Sequence, residues 1–356
     1  MPDGHAARRL ARLLGVDVPI VLGPFGGLSS VALTASVSEL GGLGSYGLYG
    51  YDGDRITSTV ASLREATSRP FALNLWLPTG DEVEPGDVDL EPARSVVAPF
   101  FAELGVAIPP APQRFLPTLD DQLDAVLDAR PAVMSVVFGV PVAEVVDAAH
   151  RQGTLVMGTA TTVDEAVALS TAGVDVVVAS GAEAGGHRVS FLRPAERSLV
   201  GTFALVPQVV DAVDVPVIAA GGIADRRGVA AALALGAAGV QVGTAFLATR
   251  QSAAADSYRA ALRDATADGT VLTRAMSGRL ARGLPNRAVQ AIEEAGVIAA
   301  FPAQNWLTGQ FRTVAARADV ADLLSLWAGQ AAGLATHADA ADVFAELSAG
   351  LPHTAT

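Results

Sequence analysis

The chain has 356 residues, 51% of them hydrophobic and 17% charged, which is long and apolar enough for a full core and excludes a disordered chain. Its formal net charge of -13 speaks against nucleic acid and anionic membrane surfaces as partners. There is no cysteine and no lysine, all 24 basic residues being arginine. Thiol nucleophiles, disulfides, iron–sulfur clusters, Schiff-base lysines and pyridoxal-phosphate chemistry are therefore excluded.

The N-terminal stretch up to Pro19 carries arginines but no apolar run of signal-peptide length. Strand-like and helix-like segments then alternate. Pro19–Leu22 precedes a helix over Val31–Leu40, Leu43–Tyr46 a helix over Arg55–Thr67, and Phe71–Leu75 a proline-rich, acidic excursion over Pro78–Pro117. Val133–Phe138 precedes a helix over Val142–Gln152, and Thr154–Gly158 one over Val163–Thr171. Val174–Ala179 and Val215–Ala219 follow, then a helix over Arg226–Leu235 and the run Gly239–Val242. Thr162 and Asp225 sit where N-caps belong, and Gly153, Gly173 and Gly236 where helices should stop. Near-continuous apolar strands are those buried on both faces of a parallel sheet. Eight β/α alternations over about 230 residues predict a (β/α)8 TIM barrel over residues 1–251, with an extended insertion at about 78–117 after strand three. A doubly wound open sheet is the alternative. Residues 252–356 read as a C-terminal helical segment packed on the barrel, without a strand. The charge-free stretch Gly228–Thr249 is broken by Gly236, Gly239 and Gly243, and reads as helix, turn and buried strand rather than a membrane span. A cytoplasmic protein is expected.

Catalytic groups of this fold lie at the C-terminal ends of the strands. Strand seven is followed by Ala220-Gly221-Gly222 and strand eight carries Gln241-Val242-Gly243-Thr244. These are the two loops that usually hold phosphate in the barrel, because glycines let backbone N–H groups approach the anion. A phosphorylated ligand is expected there. Strand six is followed by Ser180-Gly181-Ala182-Glu183-Ala184-Gly185-Gly186-His187-Arg188. Among the five histidines only His187 follows a strand on the catalytic face. An imidazole suits a general base near neutral pH, although a histidine that only holds the loop remains the other reading. Glu183 reads as a carboxylate organising that loop. Asn74 in strand three is a buried amide at the mouth, to be satisfied by a ligand ring with alternating N–H and C=O edges or by neighbouring backbone. No cluster has metal-ligand spacing.

With these residues in view, the chain resembles the nitronate monooxygenase family, also called 2-nitropropane dioxygenases. The likeness rests on GGLSSVALTASVSELGGLGSYG (26–47), PFALNL (70–75), ASGAEAGGHR (179–188), PVIAAGGIAD (216–225) and GVQVGTAFLAT (239–249), supported by SGRLARGLPNR (277–287) and LWAGQAAGLA (326–335). It implies a barrel that holds FMN non-covalently, with the C-terminal helices beside the flavin. Asn74 and Gly185 match flavin-contacting positions, and Gly222 with Gln241, Val242, Gly243 and Thr244 match the phosphate and ribityl contacts. Gly23, Pro24, Phe25, Ser180, Gly186, Ala220 and Gly221 complete the implied cofactor-binding set, and His187 matches the family's catalytic histidine. The implied reaction is oxidation of nitronates or nitroalkanes by O2 to a carbonyl compound and nitrite, with no nucleic acid or membrane partner and homo-oligomerisation left open.

Three positions depart from the family's usual pattern. Ser180 stands in place of a flavin-binding glutamine, Leu22-Gly23-Pro24-Phe25 replaces a Gln-Ala-Pro-Met type of turn, and Val137 stands where many members have histidine. The rival activities are an FMN-dependent enoyl-thioester reductase, a natural-product tailoring oxidoreductase of the same family, and a flavin-binding sensor without turnover.

Overall fold

A computed structural model of the protein describes residues 4–352. Eight parallel strands form the centre: β1 (Ile20–Leu22), β2 (Gly44–Gly47), β3 (Phe71–Trp76), β4 (Val133–Val137), β5 (Leu155–Ala160), β6 (Val176–Ser180), β7 (Val217–Ala220) and β8 (Gly239–Val242). They pair in the order β1-β8-β7-β6-β5-β4-β3-β2. A parallel bridge between Val21 and Leu43 joins the two ends, with Leu22 N–H donating to Leu43 O at 2.9 Å and Leu43 N–H to Ile20 O at 2.9 Å. The sheet is thus a ring, and the chain is a (β/α)8 barrel rather than an open doubly wound sheet.

Side chains alternate across each strand, so every second residue faces the barrel axis. At the N-terminal end the inward layer is apolar: Val21, Leu43, Ala72, Val133, Met157, Val176 and Ile218 form one buried cluster. The helix His5–Leu14 closes that end with Leu10 and Leu14, both nearly inaccessible to water. Burial of each leucine contributes roughly 1.5–3 kcal/mol. Two residues further along the strands the inward positions turn polar: Asn74 follows Ala72, Ser135 follows Val133, Thr159 follows Met157, and Ser180 follows Val178. The strands therefore run from an apolar floor to a polar C-terminal mouth. Outward positions such as Ile20, Leu22, Leu73 and Val177 join the second, larger core between sheet and helices.

The expected caps are present. Thr162 Oγ1 accepts from Glu165 N–H at 3.3 Å, and Asp225 accepts from Arg227 N–H at 2.9 Å and Gly228 N–H at 3.3 Å. Gly153, Gly173 and Gly236 adopt positive φ just past their helices. Among the described residues no helix is long and apolar enough to cross a membrane.

The insertion after β3 is not all extended chain, for it contains the helix Glu91–Glu103 with prolines at its start and at Pro99. Proline is tolerated in a first turn, so a high proline count hides such a helix. The tail differs more from expectation. It has the expected helices, among them Asp256–Arg263, Arg287–Ala295, Ala303–Arg317 and Ala340–Ser348, but also two strands, Val271–Thr273 and Ala281–Gly283. These pair antiparallel with each other, and the second pairs with Gly186–His187 from the loop after β6. Strands this short carry no readable alternation, and one partner lies in a glycine-rich loop of low β propensity. Tertiary pairing makes them.

Candidate active site

A cavity of about 460 Å3 opens at the C-terminal mouth of the barrel. It gathers Gly23, Pro24, Phe25, Asn74, Ser180, Gly185, Gly186, Ala220, Gly221, Gly222, Gln241, Gly243 and Thr244 around His187. Val242 is the exception among the expected residues. It is buried in the outer core, because strand alternation turns it away when Gln241 faces the mouth. Only its carbonyl approaches the site, accepting from Gly23 N–H at 2.8 Å.

The loop after β6 is built to be rigid. The Glu183 carboxylate accepts from Thr202 N–H at 2.9 and 3.0 Å and from Thr202 Oγ1 at 2.9 Å, which makes it the loop-organising group expected of it. Buried Arg188 donates to Gly181 O at 2.7 Å and Ser180 O at 3.0 Å. A side chain at Gly185 would bring its Cβ within 2.5 Å of Gly329 N, so glycine is what allows the tail to lie against this loop.

On the β7–β8 side, Gly222 has φ +72 and turns the chain sharply after the strand. The N–H groups of Gly222, Ile223, Gly243 and Thr244 all border the cavity, and among the described residues none has a protein acceptor. Four N–H groups without a protein acceptor at two adjacent strand ends form a cradle open to an anion. Thr244 Oγ1 accepts from Gly329 N–H at 3.0 Å and ties the tail to this cradle.

Asn74 donates through Nδ2 to Ser135 Oγ at 2.9 Å and Ser135 O at 3.3 Å, while among the described residues its carbonyl oxygen has no partner. The neighbouring strand thus satisfies half of the amide and leaves the acceptor half to the cavity. Phe25, Val137 and Ser180, the three positions that depart from the family's usual pattern, all line the cavity.

His187 is walled by aromatic rings, with Trp76 at 4.9 Å, Trp327 at 5.3 Å and Phe138 at 6.4 Å between centroids. Its Nε2 lies 2.8 Å from Ser277 Oγ. Desolvation, then the Arg279 and Arg312 guanidinium charges, push its pKa down to about 3. The ring is therefore neutral, with one free lone pair, at any physiological pH. Arg279 stacks over Phe301 and Phe138 and pairs with Asp81 at 2.5 Å and Glu82 at 2.6 Å, which fastens the insertion to the tail.

Trp327 of the LWAGQ run lines the cavity, and so do Arg312, Asn305, Tyr258 and Ser325 from the tail, none of which stood out in the sequence. Arg312 donates to Ser325 Oγ at 2.8 Å and Asn305 Oδ1 at 2.7 Å, and among the described residues it has no carboxylate partner. No sequence signal marks such a residue, since an arginine on a helix is ordinarily solvated. The LWAGQ run alone pointed to this wall.

Comparisons with known proteins give the family of this chain. The family model described as nitronate monooxygenase matches residues 7–350. A probable nitronate monooxygenase of Staphylococcus aureus (strain Newman) is 38% identical over 335 residues, covering 92% of each chain. The nitroalkane oxidase structure from Streptomyces ansochromogenes superposes with a TM-score of 0.86 at 38% identity, covering 96% of this chain and 97% of that one. FabK from Thermotoga maritima superposes with a TM-score of 0.74 at 29% identity, covering 96% and 94%. A family model matching residues 7–350 and relatives 38% identical over more than nine-tenths of each chain show more than a likeness of fold: this chain is an oxidoreductase belonging to the nitronate monooxygenase family.

Proposed function

We propose that the chain binds FMN in this cavity and uses O2 to oxidise nitronates and neutral nitroalkanes to a carbonyl compound and nitrite. The family is generally flavin-dependent. The observation that carries the reading is one cavity holding both a cradle of unpaired N–H groups and a neutral, desolvated imidazole. The cradle at Gly222, Ile223, Gly243 and Thr244 suits a phosphate monoester, and the Asn74 carbonyl, the Gln241 amide and Ser180 suit the polar edges of a flavin ring. When bound, FMN would supply the electron acceptor for the substrate, with O2 as the final oxidant. The protein's own share is the proton. His187 takes the α-proton of a neutral nitroalkane, while the surrounding rings exclude water from the C–H bond being broken. A nitronate has already lost that proton and needs only to be held.

Purified protein should be yellow and release FMN, not FAD, on denaturation, because the cradle lies at two adjacent loops and no dinucleotide fingerprint follows a strand. Chromatography of the released flavin checks this, and a colourless protein that FMN does not reconstitute overturns the reading. The likeness to FabK supports reduction of an enoyl thioester as a second reading. Anaerobic mixing separates the two. Bleaching of the flavin by a nitronate and not by NAD(P)H favours nitronate oxidation, and the reverse favours the reductase.

A pH dependence also follows. A histidine of ordinary pKa would lose its basic form below about pH 6.5. His187, held at about 3, stays neutral down to about pH 4. The kcat/KM for a neutral nitroalkane, corrected for the substrate's own ionisation, should therefore show no His187 inflection between about pH 5 and 8. An inflection near 6.5 that disappears in His187→Asn would show an imidazole far more solvated than this cavity allows.

A further inference from the structure

The ring nitrogen of His187 that takes the proton depends on what holds the other one. Nε2 lies 2.8 Å from Ser277 Oγ, a side chain with no exposure to water. A serine hydroxyl has one hydrogen to give. Ser277 Oγ lies 3.0 Å from Arg279 O, and among the described residues that carbonyl has no other donor. A buried carbonyl left without a donor costs about 1–3 kcal/mol, so the hydroxyl hydrogen goes to Arg279 O. The Ser277 oxygen then has only lone pairs to offer, and it accepts from His187 Nε2–H as well as from Arg279 N–H at 3.3 Å. Among the described residues Nδ1 takes no protein partner, and it is not sealed from the cavity.

The turn that carries Ser277 is held from several sides. Gly278 N–H closes it onto Arg274 O at 2.8 Å. Two side chains of the helix Ala303–Arg317 grip the preceding carbonyls, with Gln304 Nε2 donating to Ala275 O at 2.7 Å and Thr308 Oγ1 to Met276 O at 2.5 Å. The Arg279 side chain is anchored by Asp81 and Glu82, which keeps its carbonyl from turning.

We propose that Ser277 is a positioning residue that sets the tautomer of His187, keeping the proton on Nε2 and presenting Nδ1 to the substrate as the base. The inference rests on the reading of His187 as the base. In the step it serves, the substrate's Cα–H bond breaks, the proton forms a bond to the Nδ1 lone pair, and the electron pair stays on the substrate as the nitronate. The resulting imidazolium keeps its Nε2–H bond to Ser277 Oγ, so the hydrogen-bond chain to Arg279 O does not rearrange as the proton arrives. The other tautomer would present an N–H to the substrate and leave its lone pair facing a hydroxyl already committed elsewhere.

The test uses the FMN-loaded full-length protein labelled with 15N-histidine. The five histidines give few signals, and His187 is assigned by its loss in His187→Asn. Two-bond 1H–15N correlation should show His187 as a single neutral tautomer with Nε2 protonated. In Ser277→Ala the signals should move to a mixture of tautomers. The same variant should lose about 10- to 100-fold in kcat/KM for a neutral nitroalkane, keep its FMN, and lose far less with the nitronate. Ser277→Thr, which keeps the hydroxyl, should restore both the spectrum and the rate. A wild-type spectrum with Nδ1 protonated overturns the proposal whatever the variants do, and so does an unchanged spectrum in Ser277→Ala. The spectrum reads the tautomer without turnover, so a protein inactive on nitro compounds yet showing protonated Nε2 would sink the substrate assignment and leave the tautomer lock standing.

Discussion

Gly243→Asp is expected to fold and to come off the column without flavin. Gly243 has φ -106, a conformation open to any residue, and an added Cβ would meet only Phe25 Cε1, at the ordinary contact distance of 3.5 Å. The substitution thus leaves the backbone unstrained and places a carboxylate beside the N–H groups that would hold the phosphate. Two like charges about 4 Å apart at an effective dielectric of about 20 repel by about 4 kcal/mol, near a thousandfold in Kd. Gly222→Asp should do the same, with added strain from its positive φ. Gly243→Ala is the control, since it adds the Cβ without the charge and should keep most of the cofactor. Circular dichroism and the absorbance of bound flavin check all three. A folded Gly243→Asp that holds FMN at wild-type affinity would put the phosphate at another place.

His187→Asn is expected to divide the two substrate forms. Asparagine keeps one hydrogen-bonding group near Ser277 and fills much of the same space, so fold and FMN should survive. Turnover of a neutral nitroalkane should fall by about 10²- to 10⁴-fold, the usual worth of a positioned base. Turnover of the pre-formed nitronate should fall much less, because its α-proton is already gone. A histidine that merely braces the Gly186–His187 strand against Ala281–Gly283 makes the opposite forecast: both substrates slow alike and FMN loosens. The ratio of the two rates, measured in wild type and variant at one pH, decides between them.

The barrel was legible because its strands obey one simple rule. Parallel strands buried on both faces read as apolar runs, and runs such as Val176–Ser180 are unmistakable beside capped helices. The glycine-rich loops after β6, β7 and β8 were legible for a related reason, since position at a strand end converts a common residue into a site. What stayed hidden depends on strand pleating or on a distant partner. Val242 looked like a ligand contact because it sits between Gln241 and Gly243, yet pleating turns it outward. The strand at Ala281–Gly283 forms by pairing with Val271–Thr273 on one side and with Gly186–His187, about 95 residues earlier in the chain, on the other. Arg312, from the helix Ala303–Arg317, loses its solvent only when that helix lies across the mouth, and neither its charge nor its spacing announces this.

The pairing of His187 with the tail bears on when the protein becomes competent during synthesis. Ser277 lies 90 residues beyond His187 in the chain. At about 5–20 residues per second, a ribosome takes roughly 5–20 s to make that stretch, while domains already emerged fold as units. All eight barrel strands precede residue 243, so the ring has its full set of strands before the segment that completes the histidine's surroundings has been made. His187 and the glycine cradle are therefore made before Ser277, so the hydrogen-bond partner of the imidazole joins a site whose other parts have already been synthesised.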